Sequence, residues 1–151
     1  MSFVGALLAM FHEVRSVPCK ALVMSGGSNM GAWEIGVVWG LAHYGDPTDY
    51  YYDVVSGVSA GAINTAGFAG WAPHEIVETT EYLSDAWLDL SSSDVWQFNG
   101  NPLLLPWKRS LLDDSPLLPT IRDIMSIRSD FGRRVSVGTV SLDQGKYVEF
   151  N

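Results

Sequence analysis

Short apolar runs alternate with longer apolar segments along the first half of the chain, and each predicts one element. Lys20 to Met24 (KALVM) is a short apolar run next to glycines, which is typical of a buried strand. The later segment AWEIGVVWGLAHY has apolar residues on nearly every face and predicts a helix buried against a sheet. Val54 and Val55 predict the end of a second buried strand, and the small residues from Ala60 to Gly67 predict a helix that starts at once.

Each predicted strand is followed by a helix, and the turn between them forms a strand-to-helix corner. The second corner carries the sequence GVSAG, which is a GxSxG pattern centred on Ser59. A serine at such a corner is held in strained backbone with its hydroxyl exposed, as a nucleophile requires. Gly57 and Gly61 leave room for strand and helix to approach, and the helix N-terminus favours a developing negative charge. The alternative is a Ser/Gly turn that simply starts an Ala-rich helix.

The first corner is a glycine-rich loop, Ser25 to Gly31 (SGGSNMG). Such a loop presents successive backbone N–H groups and suits either a phosphate or an oxyanion. No Lys-Ser/Thr pair follows Gly31 and no GxGxxG spacing occurs, so neither a nucleoside triphosphate nor a dinucleotide is predicted. We therefore expect an anion-binding loop and no cofactor.

Beyond the two corners, the pattern predicts supporting structure. Pro73 opens an amphipathic helix whose apolar positions recur at helical spacing and whose acidic residues face water. The segment Val95–Trp107 has aromatics, leucines and two prolines without a clean period. It is either a loop that touches a membrane surface or ordinary packing under a long loop. Ser115 and Pro116 are predicted to cap a further helix.

The N-terminal apolar run Phe3–Phe11 is too short to span a bilayer. It is either the core of a secretory signal, which would make the protein secreted or lumenal, or a short packing helix, which leaves a cytoplasmic location open. We therefore divide the chain into an N-terminal extension, residues 1–19, and one domain, residues 20–151.

Composition narrows the expected partners. The chain has 151 residues, 47% of them hydrophobic, which suits one packed domain. Nine basic and 17 acidic side chains give a net charge of −8 without any Lys/Arg cluster, so nucleic acid is not an expected partner. The single cysteine, Cys19, cannot form an internal disulfide, and no CxxC or HExxH spacing predicts a metal site.

The segments SGGSNMGAWEIGVVWGL and YDVVSGVSAGAINTAG, in that order, resemble the patatin-like phospholipases. The resemblance covers Ala21–Asn151 and implies a three-layer α/β/α sandwich with a mainly parallel central sheet. It implies hydrolysis of lipid acyl esters by a Ser-Asp dyad without histidine. Ser59 corresponds to the nucleophile, and the oxyanion N–H groups correspond to Gly26, Gly27 and Ser28, joined by Ala60.

The sequence also departs from that family's pattern. Ser28 stands where the family usually has a third glycine, and Met30 where it usually has Lys or Arg. A serine in place of glycine at position 28 restricts the backbone conformations that the loop can adopt. The family's Asp-Gly-Gly or Asp-Gly-Ala motif does not occur in the 151 residues, and Asp143 lies between two strand-like runs, where a hairpin turn is predicted. We therefore expect the catalytic aspartate further downstream and the residues present to be the front part of a longer domain.

Two other functions stay open on the sequence alone. One is a catalytically inactive module that keeps the fold and binds lipid or a partner, which Ser28 and Met30 favour. The other is a fragment of an α/β-hydrolase, whose histidine follows the serine late in the chain. His12 and His43 precede Ser59, and His74 begins the next helix, so none of the three suits that role.

Overall fold

A computed structural model describes residues 18–100 and 110–151 of the chain. Four of its strands form one sheet in the order β1-β2-β5-β6. β1 and β2 are parallel, β2 and β5 are parallel, and β5 and β6 are antiparallel. The bounds are β1 Ala21–Met24, β2 Val54–Val58, β5 Arg134–Ser141 and β6 Lys146–Phe150; a two-stranded ribbon pairs β3 Gln97–Phe98 with β4 Leu112–Asp113.

Four α-helices accompany these strands in the described residues: α1 Met30–Tyr44, α2 Ala60–Ala69, α3 Ile76–Asp89 and α4 Leu117–Met125. α2 packs against β1, β2 and β5, whereas α1 packs mainly on α3 and less on α2. The prediction of an α/β fold around a mainly parallel sheet is confirmed. Right-handed crossovers along the order β1-β2-β5 place α1 and α2 on the same side of the sheet.

The core lies between that face of the sheet and the helices. Strand residues Met24 and Val55 point into it, and both are almost fully buried. On the opposite face, Val23 and Val140 are exposed. The buried apolar cluster consists of Met24, Ile35, Val38, Ala42, Val55, Phe68, Ile76 and Leu83.

Helix α1 differs from its prediction. Its sequence predicted burial on nearly every face, yet only Gly31, Ile35, Val38 and Ala42 are buried. The side chains of Met30, Trp33, Val37, Leu41 and Tyr44 are exposed. The reason is that α1 packs mainly on α3 and less on α2, so a single stripe of the helix is covered in the part of the chain that the structure describes.

Other predicted elements are confirmed with small shifts. α3 begins after a 3₁₀ turn at Pro73–Glu75. β5 and β6 form the predicted hairpin, and Gly145 in its turn has a φ of 60°. The predicted Ser115 cap is wrong, because the N-cap position of α4 belongs to Pro116 and has no side-chain hydrogen bond. The apolar run Phe3–Phe11 and positions 101–107 of the Val95–Trp107 segment lie outside the described residues.

Candidate active site

Ser59 lies between the last residue of β2 and the first residue of α2, and its side chain is exposed. Its backbone has φ 57° and ψ −124°, in the positive-φ region that favours glycine. A non-glycine residue held there costs on the order of 1–3 kcal/mol and persists only where the surroundings impose it. The corner predicted from GxSxG is thus present and strained.

The two glycines of the pattern allow the close approach of strand and helix that imposes this corner. A Cβ atom at Gly57 would overlap the backbone of Gly61. A Cβ atom at Gly61 would lie 2.5 Å from the carbonyl oxygen of Met24 and 2.6 Å from that of Ser25. The Gly61 N–H also donates to the Ser25 carbonyl oxygen at 3.1 Å. The start of α2 is therefore tied to the end of β1 as well as to β2.

The glycine-rich loop after β1 lies directly against Ser59. A Cβ atom at Gly26 would lie 2.9 Å from Ser59 Cβ and 3.5 Å from Ser59 Oγ. Ser28 has a φ of 54°, the second non-glycine residue with positive φ in the described part of the chain. The departure at Ser28 noted in the sequence therefore falls on a position where glycine would be unstrained.

Four backbone N–H groups around this point are available to a ligand. Within residues 18–100 and 110–151, no acceptor is found for the N–H groups of Gly26, Gly27, Ser28 or Ala60. The N-terminus of α2 adds a favourable field for a negative charge next to Ser59. Backbone N–H groups without an acceptor are the donors that binding of an anion requires.

A half-buried carboxylate supports the loop from behind. Glu34 Oε1 accepts the Ser25 N–H at 2.8 Å and the Ser25 hydroxyl at 3.2 Å. Its Oε2 accepts the side-chain amide of Asn64 at 3.2 Å, and the same amide donates to the Gly31 carbonyl at 3.0 Å. Asn64 Oδ1 in turn accepts the indole N–H of Trp87 at 2.8 Å. These bonds join the loop, α1, α2 and α3.

An open cleft of about 450 Å³ lies on the outer side of the loop. It is lined by Ser25, Gly26, Gly27, Met30, Trp33 and Glu34. Ser59 is not part of this lining and adjoins the cleft through Gly26. Met30 and Trp33 are 62% and 68% exposed, so the rim beside the loop is apolar.

No general base contacts the nucleophile in the part of the chain that the structure describes. The Ser59 hydroxyl has no hydrogen-bonded carboxylate or imidazole there. His43 lies near the far end of α1, where its ring nitrogens contact the Trp39 carbonyl at 2.8 Å and Glu81 at 3.2 Å. Asp143 follows β5 in the hairpin turn, as predicted. The base of a serine mechanism is therefore not assembled by these residues.

Two other kinds of feature are absent from the same ranges. Among residues 18–100 and 110–151, no three His, Cys, Asp or Glu side chains are grouped so that they could hold a metal ion. None of the helices described there has the length and apolar character needed to cross a membrane.

The sequence that contains the two corners matches one family model. The family model described as patatin-like phospholipase matches residues 22–143. The chain belongs to the patatin-like phospholipase family. No curated protein and no solved structure matches it significantly. Membership of this family indicates lipid acyl hydrolase activity and lipid substrates.

Glu34, Asn64 and Trp87 were not predicted from the sequence to support this candidate site. One signal was available, because Glu34 is the only charged residue between Ala32 and Tyr44. A lone carboxylate in an otherwise apolar helix is most easily kept there by hydrogen-bond donors. Its donors come from positions 9 and 30 residues away, which spacing alone does not relate.

Proposed function

We propose that this chain carries the nucleophile and the oxyanion loop of a lipid acyl hydrolase of the phospholipase A type, with Ser59 as the nucleophile. The observation that carries the proposal is the strained, exposed Ser59 beside Gly26, together with four N–H groups that have no acceptor among the described residues. A serine hydroxyl at this corner is exposed at the carboxyl end of β2, where it can reach the carbonyl group of an ester. The apolar rim at Met30 and Trp33 would contact the acyl chain or a membrane surface.

In the proposed reaction an aspartate takes the proton from Ser59, and Oγ attacks the acyl carbonyl of the lipid. The N–H groups of Gly26, Gly27 and Ser28, with that of Ala60, hold the oxyanion of the tetrahedral intermediate. The alcohol portion of the lipid leaves with a proton, and water then releases the fatty acid from the acyl-enzyme. We propose that this aspartate lies outside the 151 residues, because neither Asp-Gly-Gly nor Asp-Gly-Ala occurs within them.

A fluorophosphonate probe tests the nucleophile directly, because it phosphonylates an activated serine and the label is located by mass spectrometry. We expect Ser59 to be labelled in a chain extended to the full product of the gene, and slowly or not at all in residues 1–151. Ser59→Ala is the matched control and should abolish the label. Rapid labelling of Ser59 in residues 1–151 would contradict the downstream aspartate. A label at another serine would contradict the nucleophile assignment.

A second function, a catalytically inactive lipid-binding module, is favoured by two observations. The Ser59 hydroxyl has no base among the described residues, and the cleft rim carries Met30 in place of a cation. This function predicts no label in either chain length while both remain folded by circular dichroism. It also predicts that the Ser59→Ala variant cosediments with phosphatidylcholine vesicles as well as the unmodified chain does.

A further inference from the structure

The carboxylate of Glu34 contacts both halves of the proposed site without reaching its reacting atoms. We infer that Glu34 is a positioning residue, which sets the direction of the oxyanion loop relative to the nucleophile helix through Ser25 and Asn64. The effect of Glu34 on catalysis rests on the proposed function. The orientation of the loop by Glu34 rests only on the hydrogen bonds to Ser25 and Asn64.

On the loop side, both peptide groups of Ser25 are held. Its N–H donates to Glu34 Oε1 at 2.8 Å, and its carbonyl oxygen accepts the Gly61 N–H at 3.1 Å. A peptide unit is planar and trans, so the Ser25 carbonyl and the Gly26 N–H belong to one rigid group and point in opposite directions. The Gly61 bond therefore orients the peptide group that carries the Gly26 N–H, and the Glu34 bond orients the peptide group before it.

On the helix side, Asn64 is fully buried and uses its whole side-chain amide. Its two N–H donors go to Glu34 and to the Gly31 carbonyl, and its oxygen accepts from Trp87. Because the indole N–H can only donate, the Asn64 oxygen must face Trp87 and its NH₂ must face Glu34. Position 34 must then accept hydrogen bonds on both oxygens, which a carboxylate does and an amide does not.

This order of donors and acceptors makes a specific prediction for exchanged side chains. In Glu34→Gln, one amide donor must face either the Ser25 N–H or the Asn64 NH₂. In Asn64→Asp, two carboxylates face one another. In the double variant Glu34→Gln/Asn64→Asp, the new glutamine accepts from Ser25 and donates to the new aspartate, which also accepts from Trp87. Only the Gly31 carbonyl loses its donor, so the double variant should recover part of what each single variant loses.

The first readout is hydrogen exchange measured residue by residue by NMR in residues 1–151, which needs no turnover. In Glu34→Gln we expect the group that meets the new amide donor, either the Ser25 N–H or the Asn64 side-chain NH₂, to exchange about tenfold faster or more, as loss of a hydrogen bond to a charged acceptor implies. Exchange in β5 and β6 should not change. The matched control is Glu78→Gln, which removes the same charge from an exposed position of α3 that has no hydrogen-bonded or ionic partner among the described residues. If Glu34→Gln does not fold, Glu34→Asp keeps the carboxylate and should give a smaller acceleration.

The second readout is the rate of fluorophosphonate labelling of Ser59 in the extended chain, compared with the urea midpoint of each variant. A positioning role predicts that the labelling rate falls about tenfold or more in each single variant and rises again in the double variant. These changes in rate should not depend on the urea midpoint of each variant. If Glu34 only stabilises the fold, the labelling rate should fall in proportion to the loss in urea midpoint of each variant.

The possible results separate the two proposals. Unchanged exchange of both the Ser25 N–H and the Asn64 side-chain NH₂ in Glu34→Gln, or a double variant no better than either single one, overturns the role of Glu34. Faster exchange of either group with no labelling of Ser59 in any variant leaves the loop-positioning role in place and overturns the proposed hydrolase function. Faster exchange together with reduced and then restored labelling supports both.

Discussion

Replacing Gly61 by alanine places a methyl group against the backbone of the neighbouring strand end. The new Cβ would lie 2.5 Å from the Met24 carbonyl oxygen and 2.6 Å from the Ser25 carbonyl oxygen. These are backbone atoms, so they cannot rotate away as a flexible side chain would. Overpacking of this kind costs about 1–3 kcal/mol, and contacts this short favour the upper end of that range. Alanine regains up to about 1 kcal/mol of helix propensity, so we expect a net loss of about 2 kcal/mol.

Gly36 supplies the matched control within the same chain. It lies on an exposed part of α1, and a Cβ atom there meets nothing within 4 Å. Gly36→Ala should therefore gain about 0.8–1 kcal/mol from helix propensity alone. The same substitution in two helices is thus expected to change the free energy of unfolding in opposite directions, with a separation of about 3 kcal/mol.

Urea unfolding followed by circular dichroism at 222 nm measures this separation, provided that the dependence on urea concentration is the same in both variants. For a chain of this size, 1 kcal/mol corresponds to about 2–4 °C in Tm, so Gly61→Ala should melt roughly 4–8 °C lower than the unmodified protein. Equal stability of Gly61→Ala and Gly36→Ala would refute the close contact between the start of α2 and the end of β1, and with it the origin of the strained corner.

Three further predictions concern strain and charge. Ser59→Gly should raise the free energy of unfolding by about 1–2 kcal/mol in urea unfolding while abolishing the fluorophosphonate label, because glycine relieves the positive φ. Ser28→Gly should add about 1 kcal/mol for the same reason, and an unchanged urea midpoint would contradict its positive φ. The hydrogen bond from the Ala72 N–H, and then the Arg128 guanidinium, lower the pKa of the Glu75 carboxyl below its ordinary 4.5. The ionised Glu75 therefore stabilises the folded state above pH 4.5, and this contribution is lost as the pH falls through the lowered folded-state pKa. Glu75→Gln should therefore cost about 1 kcal/mol at pH 7, and the difference in urea midpoint should shrink on acidification; a constant difference down to pH 3 would contradict this pairing.

Features that depend on a few neighbouring residues were predictable from the sequence. The GxSxG corner at Ser59, the loop after Met24 and the hairpin turn ending at Gly145 were all placed correctly. Each is determined by local backbone preferences, since glycine and serine at fixed offsets leave few conformations for a turn between apolar runs. The family resemblance rests on the same local motifs, and the match over residues 22–143 confirms it.

Features that depend on packing between distant segments were decided only by the tertiary structure. The apolar pattern of α1 predicted burial, but α1 packs on α3, and Trp33 is left 68% exposed. Glu34 was visible in the sequence as a lone charge, whereas its donors Ser25 and Asn64 meet it only once β1 and β2 pair and their helices dock on one face. The direction of a hydrogen bond between residues 30 positions apart depends on the relative placement of whole elements, which no local pattern encodes.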